Sequence, residues 1–135
     1  MSPEDISIYL GNIEEAERHC AIAEQIIEEV GAADITGWYY RVKGMMLAER
    51  GERDKALDAF RKSIEVLENA GMIAEVAKTY YCMGLKLGAE YREMVERARD
   101  IFTERGMEHW REKATSLTLL MRRGNVVSSG RWLEG

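Results

Sequence analysis

The chain has a single proline in 135 residues. So little proline points to helix, and a proline-rich linker is excluded. Its two cysteines, Cys20 and Cys82, are too few for the disulfide framework of a small secreted domain and fit a reduced, cytoplasmic setting. Only two histidines, His19 and His109, occur. There is no HExxH, CxxC, GxSxG or phosphate-cradling glycine loop. No run of about 18 uninterrupted apolar residues exists, so a helical membrane span is not expected. The opening MSPEDISIYLG is acidic where a secretory leader is basic. A formal charge of −5 argues against a dedicated nucleic-acid binder.

What the chain does have is apolar residue (46%) and charge of both signs (32%), in the proportions of a globular domain. The apolar positions recur at helical spacing between glycines. Ser2 caps a short first helix with Pro3 at its first position, and Gly11 ends it. Asn12 and Glu15 read as a capping box for a second helix reaching about Val30, with Ile13, Ala16, Cys20, Ala23 and Ile27 on one face. Asp34 is placed to cap a third helix through about Arg50. Further helices are expected over about Asp54–Ala70, Met72–Leu87, Ala89–Arg105 and Met107–Arg123, with Gly31, Gly51, Gly71 and Gly106 as stops. The closing GNVVSSGRWLEG has no helical pattern. The expected division is a helical domain over residues 1–123 and a non-helical tail over 124–135.

Charge is uneven along this order. Residues 1–35 carry nine acids and one base, residues 36–110 balance, and residues 111–135 carry five bases against two acids. Either these charges are ordinary solvated helix faces, or one end of the molecule is acidic and the other basic, a distribution suited to attracting a neighbouring domain or a second copy.

Comparing the chain with itself at a shift of 40 aligns Gly11 with Gly51, Ala16 with Ala56, Gly31 with Gly71, Tyr40 with Tyr80, Gly44 with Gly84 and Leu47 with Leu87. Small residues recurring beside large ones are what close helix crossings require. A single helical hairpin cannot bury its own apolar face, so such hairpins stack.

Residues 39–71, YYRVKGMMLAERGERDKALDAFRKSIEVLENAG, resemble a tetratricopeptide repeat: Tyr40 and Gly44 on the first helix, Gly51 at the turn, and Ala56, Phe60 and Ser63 on the second. Lys43 and Glu68 stand where that pattern prefers Leu and Pro. The 40-residue period, against about 34 for the common form, is similar to long-repeat domains of bacterial signalling ATPases and maltose-regulator-type activators. In the following unit Ala98 and Phe102 keep the spacing of Ala56 and Phe60. Aligning them so makes the third turn two residues longer than the second. The resemblance implies an all-α, right-handed superhelical solenoid of about three hairpins plus a C-terminal covering helix. Its first helices would line a concave face that binds a peptide or a partner domain, without catalysis or cofactor.

Carried over by repeat position, that face holds Trp38, Arg41, Met45 and Glu49, then Lys78, Tyr81 and Leu85. Aromatic and methionine side chains would give adaptable apolar contact, and Arg and Lys would select acidic groups. The same apolar residues could instead pack within the array or against the last helix. A carboxylate clamp of the kind that grips chaperone tails is not expected, because Asp5, Met45 and Leu85 stand where it needs Asn. No metal site is expected: His19 and Cys20 are neighbours on a helix and point about 100° apart. Cys20 and Cys82 read as small buried apolar residues.

The expectation is therefore an adaptor or the regulatory module of a larger signalling protein, with a protein partner, no nucleic acid and no membrane. Exposed solenoid ends would self-associate into a homodimer. The competing reading is a chaperone for a secreted or unstable client. Val126, Val127, Trp132 and Leu133 in the tail could dock on a groove or form a loose end.

Overall fold

A computed structural model describes residues 13–123, apart from the side chains of residues 13–16 and Glu28. Six helices follow one another: α1 Ile13–Val30, α2 Ala33–Glu49, α3 Arg53–Asn69, α4 Ile73–Leu87, α5 Arg92–Glu104 and α6 Glu108–Arg122. One 3-10 turn, Ala89–Tyr91, leads into α5. Among the described residues there is no strand. The expected first helix with its Ser2 cap, the Asn12–Glu15 capping box and the tail over 124–135 lie outside the described residues.

The breaks fall at the glycines for a physical reason. Gly51, Gly71 and Gly106 have φ of 79°, 72° and 68°, a left-handed conformation costly for other residues. Each closes the same pair of backbone bonds. At the first, the Gly51 N–H donates to Ala48 O and the Glu52 N–H to Leu47 O; the pairs from Gly71 with Met72 and from Gly106 with Met107 repeat it. This double bond satisfies the last carbonyls of a helix while reversing the chain. Asp34 does not cap α2. The cap position is Ala32, without a side-chain bond. Asp34 sits in the first turn, where its carboxylate complements the helix dipole and accepts the Ile35 N–H at 2.9 Å.

α2 packs with α3 and α4 with α5 as hairpins, α4 packs on both α2 and α3, and α6 covers α4 and α5. α1 lies against α2. The architecture is the expected all-helical solenoid, with α2, α4 and α6 as successive first helices. Its hairpins close over glycine. A Cβ on Gly37 would meet Leu67 at 2.3 Å, one on Gly44 would meet the Phe60 ring at 2.7 Å, and one on Gly84 would meet Val95 Cγ2 at 2.2 Å. These contacts correct the expected register of the last hairpin. Val95, not Phe102, covers Gly84 as Phe60 covers Gly44, so eleven residues separate the pair instead of sixteen. The tip is shortened rather than lengthened. The chain reverses at Gly88 (φ 106°) and re-enters helix through the single 3-10 turn.

Apolar burial divides in two. Tyr39, Met46, Leu47, Phe60, Met83 and Leu87 centre one cluster. Ala77, Val95, Phe102, Leu117 and Met121 centre the other. Cys20 and Cys82 are buried in the first, as expected of small apolar residues.

A polar seam crosses α2, α3 and α4. Ser63 Oγ donates to Gly37 O at 2.6 Å and lies 3.0 Å from Thr79 Oγ1. Arg41 reaches over from α2 to Glu75 Oε1 (3.2 Å), Glu75 O (3.2 Å) and Thr79 Oγ1 (3.5 Å). Buried hydroxyls and a buried guanidinium are tolerable because each finds a partner.

Candidate functional site

The helical period of 3.6 puts Trp38, Arg41, Met45 and Glu49 on one side of α2, and Lys78, Tyr81 and Leu85 on one side of α4. Since α2, α4 and α6 stack directly, these sides adjoin. The structure then gives the seven residues different tasks. Arg41 is 9% exposed and bound into the polar seam. Glu49 pairs with Lys86 at 2.6 Å. These two contacts tie α2 to α4 at both ends. Trp38 and Met45 are half-buried against the first core cluster. Lys78 lies 2.8 Å from Glu75 Oε2 and 5.4 Å from the Trp110 ring centroid.

Tyr81 and Leu85 come together in an open groove of about 330 Å³ between α4 and α6, completed by His109, Glu112, Lys113, Ser116, Leu117 and Leu120. Trp110 supports it from below. The Tyr81 ring meets it edge-on at 5.9 Å, and the Phe102 ring lies tilted at 5.6 Å. Such aromatic pairs add about 0.5–1.5 kcal/mol beyond area burial. Lys113 sits 4.8 Å over the Trp110 ring and has no carboxylate partner among the described residues. Burial pushes the Tyr81 hydroxyl above its ordinary pKa, with a smaller contribution from Cys82. Glu75 is held below the usual carboxylate range: burial alone would raise it, but Lys78 and Arg41 outweigh that.

The groove residues on α6 were not among those singled out for binding. Their signal is a second period, 35 rather than 40. Gly71 and Met72 recur as Gly106 and Met107, Lys78 as Lys113, and Leu85 as Leu120. The shift of 40 hides it, because the last hairpin lost its tip.

Chemically the lining offers an apolar floor edged by the Tyr81 and Ser116 hydroxyls, the His109 imidazole, the Glu112 carboxylate and the Lys113 amine. Among the described residues no group of three His, Cys, Asp or Glu could hold a metal ion. None of the described helices is long and apolar enough to cross a membrane.

Residues 6–69 match the family model described as tetratricopeptide repeat. That match covers just under half the chain, across α1, α2 and α3, and it supports a tetratricopeptide-repeat family for this protein. No curated protein and no solved structure gives a match. Repeats of this family generally mediate protein–protein contact and are typically without catalysis. The polar seam is the structural partner of the matched region. Ser63, which fills the repeat's small-residue position, is the hydroxyl that joins α2 to α4.

Proposed function

We propose that the chain is a non-catalytic protein-binding module, an adaptor or regulatory domain, that takes a segment of a partner protein in the α4/α6 groove and along the adjoining side of α2. The reading rests on one observation. Tyr81, Leu85, Leu117 and Leu120 line an open groove, with Lys113 at its rim having no acidic partner among the described residues. An apolar anchor with a carboxylate beside it complements that surface, since apolar contact supplies affinity and charge supplies orientation. Glu49 and Arg41 act here as braces that hold α2 and α4 at the spacing the surface requires. The 40-residue period of the first repeats points to long-repeat signalling proteins of the maltose-regulator type as the context, in the cytoplasm.

Selection of random peptides displayed on phage tests this, followed by fluorescence anisotropy on those recovered. Peptides that pair an apolar residue with an acidic one are expected. Tyr81→Ala and Lys113→Glu should each weaken their binding at least about tenfold, while melting of the exposed Lys113→Glu variant stays unchanged. Selected peptides indifferent to both substitutions would remove the groove from consideration. Recovery of many unrelated apolar sequences, without acidic preference, would favour the chaperone reading.

A further inference from the structure

Among the described residues, the first and last helices each leave a flank exposed, in complementary ways. At the C-terminal end, Thr79, Cys82 and Met83 of α4 recur 35 residues later as Ala114, Leu117 and Thr118, all buried. This is the side that faces the preceding hairpin. Ala77 and Gly84, both buried, face α4's own hairpin partner and recur as Glu112 and Leu119, both exposed. Among the described residues α6 is therefore a first helix with no second helix on this flank, and Leu119 is 47% exposed where Gly44 and Gly84 lie under a neighbour's side chain. Arg122 and Arg123 lie beside it. Arg122 makes one exposed contact, 3.5 Å to Glu96, of the kind worth about 0–1 kcal/mol.

At the N-terminal end, α1 exposes Ile22 (56%), Ile26 (48%) and Val30 (60%). Their spacing of four places them along one flank. Forty residues later the corresponding positions are Lys62, Val66 and Ala70, smaller or charged in place of the two isoleucines and valine, with Lys62 and Ala70 exposed. On α3 that flank, through Ala59 and Lys62, lines a groove with Tyr40, Lys43 and Leu47 of its hairpin partner α2, on the side where Lys43 reaches Glu24 of α1. By the same geometry the α1 stripe faces outward from the N-terminal end.

We infer that the α1 stripe of one copy docks on the open flank of α6 of another, head to tail. Charge selects this pairing over a symmetric one. α1 carries six glutamates against Arg18; Glu17 and Glu24 pair with Arg50 and Lys43 of α2, and the remaining four would oppose like charge were two α1 helices to face each other across a two-fold axis. The α6 end carries Arg111, Lys113, Arg122 and Arg123 against Glu108 and Glu112. A heterologous contact of this kind leaves a free head and a free tail, so it builds rings or open rows rather than stopping at a dimer. It deepens the expected self-association of the ends and rests on the stacked-hairpin geometry, not on the α4/α6 groove.

Sedimentation of the full chain with Ile26→Asp and Leu119→Asp, both at exposed positions, tests it. The wild-type mass should climb with concentration past about twice the 15.4 kDa of one chain. It should fall back in about 1 M salt, where the screening length is only about 3 Å. Each variant alone should associate at least about tenfold more weakly. Mixing the two should restore a one-to-one dimer, because each retains the surface the other has lost. A wild-type monomer at every concentration overturns the inference. So does a Leu119→Asp variant that associates like wild type, the signature of a symmetric α1 contact. Circular dichroism confirms that each variant is folded, and peptide binding by Ile26→Asp keeps this outcome separate from that of the groove.

Discussion

In the α2/α3 hairpin the Phe60 ring lies over Gly44 and Leu67 lies over Gly37; in the α4/α5 hairpin the corresponding close contact is Val95 over Gly84. The middle hairpin is also threaded by hydroxyls and Arg41, whereas the buried cluster centred on the last is built from Ala77, Val95, Ala98, Phe102, Ala114, Leu117 and Met121. The difference shows how a repeat can keep its closest contact while changing everything around it. The middle hairpin is fixed by a large ring and a specific seam. In the last, the group over the glycine is the smaller Val95, Phe102 is buried against Trp110 of the covering helix, and Trp110 meets Tyr81 beside the groove.

The sharpest test removes the covering group on each side. Phe60 is fully buried over Gly44, so Phe60→Ala should cost about 3–5 kcal/mol through lost contact and a cavity. Val95 is equally buried but much smaller. Val95→Ala should cost roughly half as much, since fewer methyl groups leave. Urea unfolding of both variants measures the two. Equal costs would mean that the hairpins do not differ in this way.

Filling the glycines comes next. Gly84→Ala would drive a methyl to 2.2 Å from Val95 Cγ2 and 3.1 Å from Met121 Cε. The branched valine has little rotamer freedom with which to yield, and overpacking of this sort costs about 1–3 kcal/mol. Val95→Ala should then rescue: the double variant should be more stable than Gly84→Ala alone, a coupling readable in a double-mutant cycle. Gly44→Ala presses on the flat face of Phe60 at 2.7 Å and should be rescued less completely, because shortening Phe60 empties a larger space.

Much of this was legible before any coordinates. Helix after helix was marked by glycine stops and a 3.6 period, because chain reversal with a left-handed residue is a local demand that only glycine meets cheaply. The register of the last hairpin was not. Ala98 and Phe102 repeat the spacing of Ala56 and Phe60 by coincidence, and only the contact between Gly84 and Val95 reveals the shortened tip. The seven residues expected to bind were legible as positions on helix sides but not as tasks. Whether Arg41 meets solvent or Glu75 depends on a neighbouring helix 34 residues away, and nothing on α2 encodes that distance.

The seam offers a smaller effect confined to the middle. Thr79→Val removes a hydroxyl that sits 3.0 Å from Ser63 Oγ and receives an Arg41 N–H, while conserving shape. A loss of about 1–2 kcal/mol is expected, because Arg41 and Ser63 keep their other partners. Leu117→Met, a near-isosteric change in the apolar second cluster, should cost less than about 1.5 kcal/mol. Thermal melting distinguishes them, and a larger loss at Leu117 would reverse the assignment of specificity to the seam.

The weakest expected effect separates two tyrosines, one from each region, by pH. Burial and donation to Glu24 at 2.6 Å push the Tyr39 hydroxyl far above its ordinary pKa; burial does the same, to a lesser degree, for Tyr81. A raised folded-state pKa gives stability that is present below the unfolded value near 10 and is lost as pH rises above it. Both tyrosines therefore contribute to an alkaline limb. Only Tyr39 also acts at acid pH. Its hydroxyl is the main cause that holds Glu24 below the usual carboxylate range, with Lys43 assisting. That stability is present above the unfolded carboxylate value of about 4.3 and is lost as pH falls through the lower folded value. Tyr39→Phe should flatten both limbs of the stability profile, and Tyr81→Phe only the alkaline one. Glu24 is partly exposed, so the acid effect is small and is best read from midpoint shifts in urea at a series of pH values. An acid limb that Tyr81→Phe flattens as much as Tyr39→Phe would place the titrating carboxylate in the α4/α6 region instead.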